Sequence, residues 1–225
     1  MNSFAWSAAF QNEPYTDFNQ PEHREAFLKA LAAVKGQLGH RYPVVIGGKE
    51  VYTEQELVSR NPGHVREVVG RMSQAGTDLA EQAMQQAQKS FATWKRTTAT
   101  ERAALLLKAA SLLRQRKHEF SAWMVVEAGK NWAEADADTA EAIDFLEFYG
   151  RQMIRLSERQ PLTRIPGEDN ELYYIPLGVG VIIPPWNFPL AIMVGMTTAA
   201  LVAGNTVVLK PASNTAVIAA KFMEI

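Results

Sequence analysis

The spacing of apolar residues divides the chain into a helical first part and a later part that alternates strands with helices. From 22 to 38 and from 77 to 156, apolar side chains recur every three or four residues, which predicts amphipathic helices. From residue 177 the pattern becomes strand, helix, strand and helix. That order predicts a parallel sheet with right-handed crossovers.

Capping signals set the ends of several predicted helices. We expect a first helix over Glu22–Leu38 and a second that Thr77-Asp78 opens. Thr98 and Glu101 form a Thr-x-x-Glu capping box, in which each side chain satisfies a free backbone amide of the other. Gly129 is expected to end a helix, and the last long one runs over Ala133–Leu156. The apolar stripes of these helices, including Met84, Leu105 and Phe148, are interpreted as core.

Residues 43–71 have the pattern of short strands and turns. An apolar run over 43–46 leads to Gly47-Gly48, a turn signal, and then to a second β-like pair at Val51-Tyr52. Asn61-Pro62-Gly63 marks another turn before a strand expected from Val65 to Val69.

Residues 157–176 form an excursion whose polar stretch, 157–170, has two prolines and a glycine, and a short strand candidate follows at Leu172–Ile175. The pattern is typical of a hairpin that leaves the main body.

The pattern of residues 177–225 predicts a strand at Val179–Ile183, a helix at Pro189–Ala203 and a strand at Asn205–Leu209. A helix over Thr215–Ile225 follows, with Asn214 as its N-cap. Two strands and one crossover do not complete a doubly wound sheet, so we expect the chain to be part of a longer protein.

Composition and charge exclude several classes of function. The chain has 225 residues, 47% of them hydrophobic, and a net charge of -1, which gives no basic surface for nucleic acid. Its start carries Glu13 and Asp17 without Lys or Arg, so we expect no targeting signal and a cytoplasmic location. Prolines and glycines interrupt the uncharged run from Glu171 to Lys210, which argues against a membrane span.

The chain contains no cysteine, which excludes disulfides, thiolate metal sites and a cysteine nucleophile within these residues. The four histidines are scattered without the spacing of metal ligands, and each is interpreted as a surface or capping residue. No metal site is predicted.

The turn after the Val179–Ile183 strand is where an open parallel sheet binds its ligand. This turn holds Pro184 and then Pro185-Trp186-Asn187-Phe188-Pro189. One interpretation is a stiff loop that packs two aromatic rings inward. The other is an active-site loop in which Asn187 donates its amide N–H to a developing oxyanion, an interaction worth about 3 kcal/mol.

Lys210 ends the second strand of the pair. It is either a solvated strand end or, at the binding crevice, a donor to ribose hydroxyls. The turn at 211–214 leads to a helix whose free amides favour anionic or polar groups. The G-x-G-x-x-G fingerprint is absent because Ile183 stands where Gly178 and Gly180 would require the third glycine.

These motifs resemble the aldehyde dehydrogenase superfamily. The resemblance rests on Gly178–Pro189 and on Gly204–Ala212, with Asn61-Pro62 and Glu127–Lys130 agreeing. Within the superfamily, the segments Asn12–Phe18, Ala133–Asp138 and Glu141–Phe145 are most similar to the Δ1-pyrroline-5-carboxylate (L-glutamate γ-semialdehyde) dehydrogenases of proline breakdown.

The resemblance implies an α/β fold of three parts. Residues 1–156 would be the mainly helical part of the cofactor-binding domain, 157–176 an oligomerisation hairpin, and 177–225 the start of a Rossmann-like NAD-binding sheet. It also implies site roles. Asn187 would be the oxyanion donor, Lys210 would hold the adenosine ribose, and Glu141 and Phe188 would lie near the aldehyde. The dinucleotide groove would be lined by Ile183, Pro184, Pro185 and Trp186.

The resemblance leaves the cofactor and the activity of this chain open. Many NAD-preferring members carry a glutamate three residues after the lysine, where this chain has Ser213, so NAD is expected but NADP is not excluded. Family members use a cysteine nucleophile and a glutamate base, both expected downstream of Ile225, so this chain alone is expected to be inactive. The full-length protein is expected to be a homo-oligomer with a small aldehyde substrate.

Two alternatives stay open on the sequence. One is a dehydrogenase for another semialdehyde, such as succinate semialdehyde. The other is a non-catalytic binding or scaffold protein built from the same N-terminal part.

Overall fold

The computed structural model describes residues 9–225 and has a mixed α/β architecture. Its helices are α1 (Pro21–Lys35), α2 (Thr77–Trp94), α3 (Ala99–Gln115), α4 (Lys117–Ala128), α5 (Trp132–Ser157), α6 (Ala191–Val202) and α7 (Ala216–Phe222). Its strands are β1 (His40–Tyr42), β2 (Val44–Ile46), β3 (Lys49–Val51), β4 (Glu56–Arg60), β5 (Val68–Ser73), β6 (Val179–Ile182) and β7 (Thr206–Leu209).

The main core forms where α5, the longest helix, packs against α3, α4 and α6. Trp123, Leu113 and Ile143 are fully buried there. The helices are those that the apolar spacing predicts, with ends shifted by up to three residues. Sequence and packing agree here because apolar residues at helical spacing must bury one face.

The predicted helix ends at Thr98 and Gly129 are confirmed. The Thr98 amide donates to the Glu101 carboxylate at 2.8 Å, and the Glu101 amide donates to the Thr98 hydroxyl at 3.2 Å. Gly129 ends α4 with φ 69°, and a Cβ there would meet Pro62 at 2.9 Å. Glycine is therefore required for both its backbone conformation and its close contact.

Some residues that the apolar stripes place in the core are exposed. Met84, Leu105 and Phe148 keep 39–53% of their surface accessible. The prediction was wrong for these residues because each helix buries a narrower face than its apolar stripe covers. Phe148 contacts Phe10 of the segment before α1, at 5.4 Å between ring centroids.

The β-rich segment forms two small sheets. β2 and β3 pair as the predicted antiparallel hairpin, and Gly47 and Gly48 have the positive φ angles that a tight hairpin turn requires. The other sheet has the order β1-β5-β4. The strand expected at Val65–Val69 begins only at Val68, because the backbone of Asn61 pairs with Glu67 and closes a longer turn.

Residues 179–209 form the predicted strand–helix–strand unit. β6 and β7 pair in parallel, with Val179 opposite Thr206 and Ile182 opposite Leu209, and α6 connects them. The predicted strand at Leu172–Ile175 is wrong, because 158–178 contains neither helix nor strand. No other described segment pairs with it, and an isolated two-stranded hairpin is only marginally stable.

The prediction that Asn214 caps the last helix is wrong. Asn214 lies in a 3-10 turn, Ser213–Thr215, and α7 begins after it. The carboxylate of Glu127 instead accepts hydrogen bonds from the amides of Val217 and Ile218, both at 2.8 Å. The Ser59 hydroxyl also donates to it at 2.8 Å. This buried carboxylate therefore joins α4, α7 and β4.

Within residues 9–225, no helix combines the length and the apolar character that crossing a membrane requires. His118 differs from the surface or capping role expected of the histidines, because it is half-buried and its Nδ1 has no hydrogen-bond partner among the described residues.

Glu127 is expected to make stability depend on pH. Burial raises its pKa from the usual 4.5 to about 7, although the hydrogen bonds from Val217, Ile218 and Ser59 oppose the rise. Between these pH values the folded protein holds a proton that the unfolded chain releases. The stabilisation that Glu127 gives the folded protein is therefore fully present below about pH 4.5. Up to about 3 kcal/mol of it is lost as the pH rises through about 7.

Urea unfolding of the protein and of Glu127→Gln from pH 4 to 8 measures this effect. Glutamine does not titrate, so the free energy of unfolding of the unmodified protein should fall relative to the variant as the pH rises. Parallel curves for the two proteins would show that Glu127 does not titrate in this range.

Candidate active site

The carboxyl ends of β6 and β7 bring two predicted site residues together. The strands are parallel, and the Lys210 amide donates to the Ile182 carbonyl at 2.9 Å, so Ile183 and Lys210 begin side by side. Ile183 and Trp186 are more than half exposed. The edge of the sheet therefore presents apolar surface beside a lysine, at the position where open parallel sheets bind ligands.

Buried residues fix the loop from 183 to 190 in place. Pro184, Pro189 and Leu190 are buried, and each proline fixes a backbone φ angle. Pro184 is therefore shielded from solvent, whereas Pro185 is exposed at the edge of the sheet. The loop leads directly into α6.

Asp138 of α5 anchors the end of this loop. Its side chain is fully buried, and its carboxylate accepts hydrogen bonds from the Ala191 amide and the Lys130 ammonium, both at 2.7 Å. Burial raises the pKa of Asp138, and the hydrogen bonds from Lys130 and Ala191 oppose the rise. A carboxylate here also satisfies a free amide of the first turn of α6.

Lys130 connects this anchor to Phe188. Its ammonium nitrogen lies 4.2 Å from the centroid of the Phe188 ring, a cation–π contact. This contact holds the side chain that follows Asn187, and the buried Pro184 and Pro189 constrain the backbone of the loop on either side. Sequence reasoning did not assign a role to Lys130 or Asp138, because their contacts join residues far apart in the chain.

Asn187 is exposed, and its side chain makes no hydrogen bond to any other residue from 9 to 225. Trp186 and Phe188 are also exposed, by 58% and 41%. The interpretation that this loop packs both rings inward is therefore wrong. The loop presents an amide that is free to donate to a ligand.

The two predicted substrate residues, Glu141 and Phe188, share one pocket of about 340 Å³. Its other lining residues, which the sequence did not single out for this role, are Asn12, Tyr15, Ala137 and Asp144. Within the described part of the chain, Glu141 forms no hydrogen bond or ion pair. Burial raises the pKa of Glu141, the negative charge of Asp138 adds to the rise, and the positive charge of Lys130 opposes it.

Ser213 and the start of α7, the other positions predicted to contact a ligand, differ in whether they are accessible to one. Ser213 is exposed in the 3-10 turn that follows Lys210. The sequence predicts free amides at the start of α7, but the amides of Val217 and Ile218 are not free for a ligand, because Glu127 accepts hydrogen bonds from both. Among the residues described, no group of three or more His, Cys, Asp or Glu side chains is placed to hold a metal ion.

A larger groove of about 630 Å³ lies elsewhere, between α2, α3 and α6. It is mainly apolar and contains none of the predicted site residues. We therefore place the candidate active site at the loop from 183 to 190 and the smaller acidic pocket.

Comparisons with known proteins agree on one family. The model of the "Aldehyde dehydrogenase family" matches residues 51–225. A 1-pyrroline-5-carboxylate dehydrogenase from Geobacillus kaustophilus (strain HTA426) is 58% identical over 216 residues, which is 96% of this chain and 42% of the relative. The chain thus spans about two fifths of the length of the curated relatives that it matches.

Solved structures are similar in the same region. A 1-pyrroline-5-carboxylate dehydrogenase from Thermus with bound NAD superimposes with a TM-score of 0.92 and 48% identity, over 96% of this chain and 42% of that one. The NAD-bound Δ-pyrroline-5-carboxylate dehydrogenase from Mycobacterium tuberculosis gives a TM-score of 0.86 at 28% identity, over 100% of this chain and 42% of that one.

Removing the Asp138 carboxylate should destabilise the protein strongly. Asp138→Ala leaves the Lys130 ammonium, which is only 11% exposed, without its partner and frees the Ala191 amide. We expect the free energy of unfolding in urea to fall by about 3–5 kcal/mol.

A matched control is Asp169→Ala, which removes the carboxylate of an exposed ion pair with Arg159 and should leave stability unchanged. The double variant Asp138→Ala/Lys130→Met should recover part of the loss, since it no longer buries an unpaired charge. Equal losses for Asp138→Ala and Asp169→Ala would contradict the anchor role.

Proposed function

The chain belongs to the aldehyde dehydrogenase family, and on that basis we propose that the complete protein oxidises L-glutamate γ-semialdehyde, derived from pyrroline-5-carboxylate, to L-glutamate with NAD. This is the second step of proline breakdown. The relatives with that name support the proposal, and the observation that carries it is the free Asn187 amide beside an acidic pocket.

Asn187 is suited to stabilise an oxyanion. When a nucleophile attacks an aldehyde, the carbonyl oxygen becomes negatively charged, and a preorganised N–H donor stabilises it most in the transition state. The Asn187 amide has no competing partner among the described residues, and its loop is fixed by buried prolines and by Asp138. It can therefore donate without first breaking another hydrogen bond.

The charge of the pocket favours an aldehyde that carries a positive group. Glu141 and Asp144 both line it, and the Glu141 carboxylate has no hydrogen-bond partner in residues 9–225. Glutamate semialdehyde has an α-ammonium group that such a carboxylate attracts. Succinate semialdehyde carries only a negative charge, which these carboxylates would repel.

The edge of the sheet fits a dinucleotide. Ile183 and Trp186 expose apolar surface for its rings, and Lys210 begins beside Ile183 with its side chain exposed. We propose that Lys210 donates to ribose hydroxyls and that Ile183, Pro185 and Trp186 line the groove, with the buried Pro184 between them in the chain. NAD, when bound, supplies the acceptor for the hydride that leaves the aldehyde carbon.

The proposed reaction also needs groups that these 225 residues do not contain. The family uses a cysteine thiolate as nucleophile, and the chain has no cysteine. We therefore propose that the nucleophile and the base come from outside residues 1–225, and that these residues alone bind without catalysing. Segment 157–176 is proposed to contribute to a homo-oligomer of the complete protein.

Replacing Asn187 should slow the chemical step of the complete enzyme. Asn187→Ala removes the proposed oxyanion donor, so kcat for glutamate semialdehyde should fall by about 10²–10³-fold with little change in KM. Steady-state NADH formation measures both constants. Asn19→Ala, which removes an exposed amide that bonds only to Asp17, is the control. A normal kcat for Asn187→Ala would contradict the oxyanion role.

Residue 213 should determine whether NADP is accepted. Ser213→Glu places a carboxylate three residues after Lys210, where it would repel a 2′-phosphate. We expect kcat/KM to fall about tenfold or more with NADP and to change little with NAD, since a tenfold effect needs only about 1.4 kcal/mol. Ser213→Ala controls for loss of the hydroxyl. An equal loss with both cofactors would argue against a cofactor-selective position.

A further inference from the structure

We infer that the N-terminal arm, defined as Asn12–Thr16, is a specificity-determining wall of the aldehyde pocket, with Tyr15 as its selective side chain. The inference rests on the proposed function, because it concerns which aldehydes enter the pocket of Glu141 and Phe188. Neither the dinucleotide edge nor the oxyanion role requires the arm.

The arm has no helix or strand of its own, yet its first half is fixed to α5. The Asn12 side-chain amide donates to one oxygen of Asp144 at 2.7 Å, and the Glu13 backbone amide donates to the other at 2.7 Å. Both Asp144 oxygens are thus occupied by the arm. Glu13 also forms an ion pair with Arg114 of α3 at 2.7 Å.

The second half of the arm is fixed at another carboxylate of α5. The Thr16 amide donates to Asp136 at 2.8 Å, and the Thr16 hydroxyl donates to it at 2.6 Å. Lys117 donates to the Pro14 carbonyl at 2.8 Å and to Asp136 at 3.0 Å. Asp136 is almost completely buried, so these hydrogen bonds to a charged group are strong.

Tyr15 lies between these two anchors and lines the pocket together with Glu141 and Phe188. Its side chain is 74% exposed, and its hydroxyl has no hydrogen-bond partner among residues 9–225. A side chain so exposed contributes little to folding, although the backbone on both sides of it is fixed by charged groups. The anchors therefore hold an aromatic ring at an acidic pocket, where it bounds the space and can form a cation–π contact with an ammonium group.

The test compares two aldehydes in the complete enzyme, glutamate semialdehyde and propanal, which has neither the ammonium nor the carboxylate group. Tyr15→Ala should lower the ratio of their kcat/KM values about tenfold, through KM for glutamate semialdehyde, with kcat nearly unchanged. Tyr15→Phe keeps the ring and should keep the ratio. Asp144→Ala releases the arm and should lower the ratio in the same direction.

Tyr52→Ala is the matched control, because Tyr52 is half-exposed in the region after the β2–β3 hairpin and lines no part of the pocket. An unchanged ratio in Tyr15→Ala, with active unmodified enzyme, would overturn the inference and leave the proposed function standing. Equal losses on both aldehydes with a lower Tm would show a structural role and also overturn it. If the unmodified enzyme does not oxidise glutamate semialdehyde, the proposed function itself is refuted.

Discussion

The hydrogen bonds of the buried Asp138 carboxylate connect the helical part of the chain to the loop that carries Asn187. Asp138 accepts from Lys130 at the end of the preceding turn and from Ala191 at the start of α6. A charge in this position is costly to bury and is tolerated only when such donors surround it. The direction of α6, the place of Phe188 and the course of the loop between β6 and α6 all depend on that arrangement.

Helix α5 carries four carboxylates that organise the pocket. Asp138, Glu141 and Asp144 follow at intervals of three residues, which places them near one another along one side of a helix. Asp138 holds the loop and Asp144 holds the first half of the arm, while Asp136 holds the second half from a different face. The arm near the start of the described chain and the loop before α6 therefore meet at one helix, and the pocket between them has an acidic lining.

Local signals predicted much of the fold, whereas the contacts that complete the site lie outside their reach. The Thr98–Glu101 capping box and the left-handed Gly129 depend on residues within one helical turn, and they were predicted correctly. Glu127 caps α7 from 90 residues away, and Asp144 binds Asn12 across 132 residues. No periodicity or spacing shows such pairs. For the same reason the sequence predicted Asn214 as a cap, although the tertiary contact of Glu127 supplies that function.

The distribution of charge leaves one carboxylate of the pocket without a partner among the described residues. Asp136 is neutralised by Lys117 and Asp138 by Lys130, while Asp144 accepts two N–H donors from the arm. Glu141 alone among the four has no hydrogen bond or ion pair within residues 9–225, and burial together with Asp138 raises its pKa. A carboxylate without a partner beside the charge of Asp138 is stabilised by a positive ligand, because the ligand offsets the repulsion by its neighbour. An anionic ligand would add to that repulsion. Under the proposed function, three carboxylates of α5 hold the arm and the loop in place, while the fourth, Glu141, is left to attract the ammonium group of an amino-aldehyde.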